Sequence, residues 1–195
     1  MITIQLFPQT FLFMFLVIFI ITALFYIMHK QHKITLWFLG ILEIYILFIF
    51  STGILPIRMP TSDRIVEYNL SDSIQLIPFQ SISHLIKNNT LFNRQIIGNL
   101  ILLFPLPIFL GFLNKNRKYI SLFLLSFLSS IMLETLQLFI NLITKYPSRI
   151  IDIDDIILNT TGIIAGLVVF IIIKKIPVLY KWISTNIVYK TNFHI

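Results

Sequence analysis

"RIIDIDDIILNTTGIIAGLVVFIIIKK", residues 149–175, opens on an arginine and three aspartates, runs into an apolar stretch and closes on two lysines. From Ile156 to Ile173 it contains no charged residue. A bilayer core takes roughly 20 helical residues to cross. The stretch therefore predicts a membrane-spanning helix over about 152–173 with Asp152, Asp154, Asp155 and Asn159 at its mouth. Four more apolar runs of similar length lie at about 9–28, 34–57, 94–113 and 119–143. They are continuous rather than alternating, which predicts helices and not a barrel. The expected fold is an all-α polytopic membrane helix bundle with about five transmembrane helices.

Composition agrees. The 195 residues are 57% hydrophobic and 12% charged, with a mean hydropathy of +0.90, whereas soluble domains carry about 25% charged residues. There is no cysteine, which excludes disulfide and thiolate chemistry. The first run has no basic residue before it and no small-residue cleavage site after it, so it reads as a span and not as a signal peptide.

The net charge of +7 is a matter of placement. The segments 29–33 and 114–118 and the tail after 173 carry lysines and arginines and no acid. Segments 58–93 and 144–155 hold Asp63, Glu67, Asp72, Asp152, Asp154 and Asp155. The positive-inside rule then expects an outside N-terminus and an inside C-terminus. The basic surplus becomes a signal of topology and of contact with membrane lipids, with no nucleic-acid partner. The tail mixes lysine with Tyr180, Trp182, Tyr189 and Phe193, which suits a cytoplasmic interface. In the long outside segment, the apolar residues around Pro78 are expected to return onto the membrane surface. Three parts follow: 1–69, a two-span segment with the start of the outside loop; 70–173, a three-span domain; and 174–195, a basic, aromatic interfacial tail.

Polar residues in the last two spans form stripes. Ser126, Ser130, Glu134, Gln137 and Asn141 recur at intervals of four, four, three and four, and fall within roughly 80° of arc. Asp152, Asp155, Asn159, Gly162 and Gly166 also share about 80°; Asp154 points elsewhere. Gly162 and Gly166 form a G-x-x-x-G pair, a helix-packing signal; the simplest partner is the antiparallel fourth span. Glu134 lies ~14 Å below the outer end of its helix and Asn159 roughly 10 Å below Asp152. Asn99 falls in the same band and Arg94 at the mouth of the third span. Arg94, Asn99, Glu134, Gln137, Arg149, Asp152, Asp155 and Asn159 are thus expected to line one outward-facing polar cavity that binds a ligand. Glu43 lies nearer the inner side of its helix and outside this site.

Each residue has a plainer reading. Asp152 and Asp155 can cap a helix N-terminus. The serines can be packing residues, Gln137 and Asn141 can tie helices together, and Arg149 can be an interface anchor or a partner for Asp152. Pro105 and Pro107 read as a kink. Glu134 has no such reading, because capping does not explain a carboxylate in mid-helix.

The order of motifs resembles the VanZ-like family of small bacterial membrane proteins. "IQLIPF" at 74–79 is similar to that family's NLIPF-type segment, "GNLILLFPLP" at 98–107 to its N-x5-P-x-G helix, "ETLQ" at 134–137 to its E-x-x-Q, and "RIIDIDDIILNTTGIIAG" at 149–166 to its D-x-x-D-x-x-x-N-x-x-G stretch. The resemblance covers about residues 70–173 and carries over to Asn99, Glu134, Gln137, Asp152, Asp155 and Asn159, with Gly162 and Gly166 as packing residues. Gln75 and Pro107 depart from it, standing where the family usually has Asn and Gly. It implies a multi-pass protein of the bacterial cell membrane, since the family is named for a member that lowers susceptibility to the glycopeptide teicoplanin.

Three functions compete. In the first, the cavity binds or modifies a membrane-bound polar ligand, such as a lipid-linked cell-wall precursor or a lipoglycopeptide. In the second, Glu134, Asp152 and Asp155 are catalytic and hold a divalent cation in an intramembrane hydrolase or transferase; the four histidines all lie in loops or tails, which speaks against a zinc hydrolase. In the third, the carboxylates form an ion pathway, against which stands the lack of a two-half repeat.

Overall fold

The computed structural model describes residues 2–4, 8–28, 33–59, 69–87, 94–114 and 116–187. Asp63, Glu67 and the tail beyond 187 lie outside them. Helices dominate: α1 (Pro8–Met28), α2 (Lys33–Ile49), α3 (Gln80–Lys87), α4 (Arg94–Leu102), α5 (Leu106–Leu113), α6 (Tyr119–Thr144), α7 (Ile153–Lys175) and α8 (Pro177–Ile187). A wide π turn, Phe50–Ile54, extends α2. Among the described residues, four segments are long and apolar enough to cross a membrane: Leu36–Ile54, Gln95–Leu113, Tyr119–Thr144 and Ile153–Lys175. The chain is thus an all-α membrane helix bundle. The first apolar run forms α1, whose described apolar stretch, Gln9–Leu24, is shorter than these four.

Two short strand pairs stitch the ends. Ile2–Ile4 (β1) runs antiparallel to Ile57–Met59 (β2), with Thr3 opposite Arg58. Ile74–Gln75 (β3) runs parallel to Ile151–Asp152 (β4), with Gln75 opposite Asp152.

The third apolar run departs from the expected kinked helix. It breaks into α4 and α5 at Leu103–Pro105. Pro105 and Pro107 have no N–H to donate, so the helical bonds to the Ile101 and Leu103 carbonyls cannot form. The neighbouring amides tighten instead: Phe104 N–H bonds the Ile101 carbonyl, Leu106 N–H that of Leu103 and Ile108 N–H that of Pro105. This releases the Leu100, Leu102 and Phe104 carbonyls, which an uninterrupted helix would have used. The Tyr45 hydroxyl donates to Leu102 O at 2.9 Å. Gly162 and Gly166 of α7 lie against the other two: a Cβ would fall 2.0 Å from Leu100 O at Gly162 and 1.9 Å from Phe104 O at Gly166. The glycine pair therefore packs on the third span, and the expected pairing with the fourth is corrected. The α7 backbone comes so close to these two carbonyls that no Cβ fits, which is why glycine stands at both positions.

Around this seam the bundle is apolar on its outside and mixed within. Leu128, Met132 and Phe139 of α6 are exposed, while Ser126, Ser130, Glu134, Gln137 and Asn141 on its other face are buried, so the polar stripe faces protein. Leu102, Leu103, Leu133 and Ile163 form one apolar cluster. Phe112, Leu122 and Phe170 form another, in which the Phe170 ring lies over Gly111. The tail helix α8 returns onto this cluster, with Tyr180 stacked 6.1 Å from Phe112. Glu43 accepts a hydrogen bond from Thr22 and so ties α2 to α1, away from the site below.

Candidate functional site

The polar groups gather at one end of the bundle, where α6 ends, α7 begins and α2 unwinds. Asn141, fully buried, organises the turn between α6 and α7: its amide donates to Arg149 O at 2.6 Å and its oxygen accepts from Ser148 N–H at 3.0 Å. That turn passes through Lys145, whose φ of 50° ends α6 in the left-handed region. It delivers the half-buried Arg149 beneath the π turn of α2, where one guanidinium nitrogen donates to Thr52 O and, at 2.6 Å, to Leu55 O. A helix end leaves its last carbonyls without an intrahelical partner, and a planar cation with several donors suits them. Burial lowers the Arg149 pKa, and the nearby Asp155 and Glu134 carboxylates act against that. One turn up α6 from Asn141, Gln137 donates to Gly53 O at 2.7 Å and fixes the same turn from the other side.

Asp155 faces this cation from the first turn of α7. Its Oδ1 accepts from Gln95 at 3.3 Å, and its carboxylate also receives the Asn99 side chain. Gln95 and Asn99 stand four apart on α4, so both meet the same carboxylate. Between these groups lies a cavity of about 510 Å³. Thr52, Gln95, Asn99, Gln137, Arg149 and Asp155 form its polar wall, and Phe48, Leu102 and Ile150 belong to its apolar one.

Not every expected residue reaches it. Glu134 lies deeper, 5% exposed, beside the Asp152 backbone and within the field of Asp155, Asp152 and Arg149. Its Oε2 and the Asn159 Oδ1 are buried without a hydrogen-bond partner among the described residues. Asp152 is turned to another task. It accepts from Asp154 N–H at 2.9 Å as the N-cap of α7, from Gln75 at 3.1 Å and from Ser81. Arg94 starts α4, but its side chain lies outside the described residues. Among the described residues no group of three His, Asp or Glu side chains is arranged to hold a metal ion. Of the trio Glu134, Asp152 and Asp155, Asp152 already accepts from three donors of the protein.

Sequence reasoning missed Gln95, Thr52 and the role of Asp154. The spacing of Gln95 and Asn99 was a usable signal. Thr52 contributes its backbone carbonyl as well as the cavity wall, and a carbonyl leaves no trace in residue type. Asp154, 1% exposed, was expected at the mouth of its own helix and stands there; its carboxylate accepts from the backbone N–H groups of Phe79 and Ile82, the latter at 3.0 Å, and caps α3.

A family model described as VanZ/LLP1 matches residues 36–174, from α2 to the last turn of α7. No curated protein and no solved structure matches the chain.

Proposed function

Because the chain belongs to the VanZ/LLP1 family, and is a membrane protein by its spans, we propose that it acts at the bacterial cell envelope by binding the polar part of a membrane-associated ligand in the cavity, and so lowers susceptibility to glycopeptides such as teicoplanin. The observation that carries the reading is the meeting of Arg149, Asp155, Gln137, Gln95 and Asn99 on one wall of a cavity whose other wall is apolar. Beyond their bonds within the protein, the guanidinium and the three amides keep further N–H donors and the carboxylate keeps further lone pairs. An apolar wall at the same mouth suits the start of a lipid tail. This donor and acceptor pattern fits a lipid-linked cell-wall precursor or a lipoglycopeptide. The basic loops at the far end of the spans favour an outward-facing mouth.

The test is teicoplanin susceptibility, with vancomycin beside it, in a susceptible Gram-positive host carrying the wild-type chain, Asp155→Asn, Glu134→Gln or empty vector at equal membrane levels. Wild type should protect, and Asp155→Asn should fall to the vector level. Equal susceptibility of wild type and vector would remove the resistance role and leave a cavity in search of another envelope lipid.

A further inference from the structure

We infer that residues 76–79 form a re-entrant tip that inserts into the lipid interface beside the cavity, and that Asp152 and Asp154 are the clamp that holds it there. The direction comes from strand register. β3 runs parallel to β4, so Ile74 and Gln75 travel the same way as Ile151 and Asp152. The latter pair leads directly into α7, a span. Leu76 and Ile77 therefore continue toward the bilayer, level with the first turn of α7. The chain then reverses at Pro78 and Phe79, where a φ of 63° makes the turn, and α3 carries it away.

What the chain takes down is apolar and uncovered. Leu76, Ile77 and Phe79 are 68%, 64% and 59% exposed. The same end of the bundle exposes Ile143, in the last turn of α6, and Ile150, next to β4, so apolar side chains besides the tip face outward there. A loop can enter such a region only if its backbone groups are paired, and those of Ile77 and Phe79 are, the Phe79 carbonyl accepting from Ser83 N–H at 2.9 Å. The Gln75 side chain donates to Ile77 O at 2.9 Å and accepts from Ile77 N–H. Pro78 has no N–H. Phe79 N–H goes to Asp154, and Gln80 N–H to Ile77 O. The two buried aspartates thus serve as anchors on the lip of a span: Asp154 takes the backbone at Phe79 and Ile82, Asp152 the side chains of Gln75 and Ser81. The inference rests on the membrane placement of the spans and stands whatever ligand the cavity takes.

The chain has no native cysteine, which makes the test direct. The full chain bearing Leu76→Cys, Ile77→Cys or, as a control upstream of β3, Asn69→Cys would be labelled with an environment-sensitive fluorophore. It would then be placed in phosphatidylcholine vesicles containing a nitroxide near the top of the acyl chain. Probes at 76 and 77 should be blue-shifted, quenched several-fold more by nitroxide lipid than the probe at 69, and shielded from aqueous iodide. Iodide access and lipid quenching equal to those at position 69 would overturn the insertion. Adding Asp154→Asn to Ile77→Cys should return the probe toward water while a cysteine label in mid-span keeps its quenching. Retained quenching at 77 in a monodisperse double variant would overturn the clamp.

Discussion

Arg149 shows how much one side chain can hold at this site. It bridges two carbonyls of the unwound end of α2 and lies in the field of Asp155. Lysine is a point charge without the planar fork, so Arg149→Lys should loosen the π turn and lower the detergent melting temperature by several degrees. Asp155→Asn should leave melting nearly unchanged, because the residue is half-buried and keeps an amide oxygen for Gln95. The same variant should weaken binding of the envelope ligand by roughly 10- to 100-fold if a charge-assisted bond of ~1.5–3 kcal/mol is lost, read by titration in nanodiscs. Gln137 and Asp155 were legible because each sits in a polar stripe of its own helix, and Arg149 because it stands just before the aspartates. Asp154 stands at the helix mouth as expected, but its partners were not legible, because its donors are backbone amides more than seventy residues earlier in the chain and a helical wheel contains no such partner.

Between elements, the decisive contact is the seam of α7 with α4 and the break before α5. Gly162→Ala must push a methyl into Leu100 O, a backbone atom that cannot turn aside. We expect a loss of roughly 1–3 kcal/mol, seen as a lower resistance to unfolding in mixed detergent. Gly98→Ala has open space around it and should be neutral by the same assay. Tyr45→Phe deprives Leu102 O of its donor and should cost about 1–3 kcal/mol. The cost should shrink when Pro105 and Pro107 are both replaced by alanine, since a restored helix would offer Leu106 N–H to that carbonyl; a double-mutant cycle reads this coupling. The spans and the glycine pair could be read from hydropathy and spacing. The partner of the glycines could not, because the carbonyls they meet are freed by prolines in another helix and carry no side-chain signature.

At the scale of the molecule, polar work is concentrated at one end of an otherwise apolar bundle, and the charge pattern expects that end outside. A membrane-impermeant thiol reagent on intact cells should then label Ser71→Cys and spare Asn116→Cys; the reverse pattern would invert the cavity. The fold class was legible from composition and run length alone. The cavity was legible only in part, since it forms where α2 unwinds, and unwinding by a π turn has no composition of its own. The seam carries a further consequence, for motion. Where Gly162 and Gly166 meet carbonyls and the Pro107 ring there is no flexible side chain to absorb a displacement, so we expect α4, α5 and α7 to move as one stiff plate bearing Gln95, Asn99 and Asp155. The opposite wall hangs from Thr52, Gly53 and the guanidinium beneath them. Widening of the mouth to admit a guest is then expected as a swing of the α2 end against a fixed jaw, with the Arg149 contacts to Thr52 O and Leu55 O as its latch.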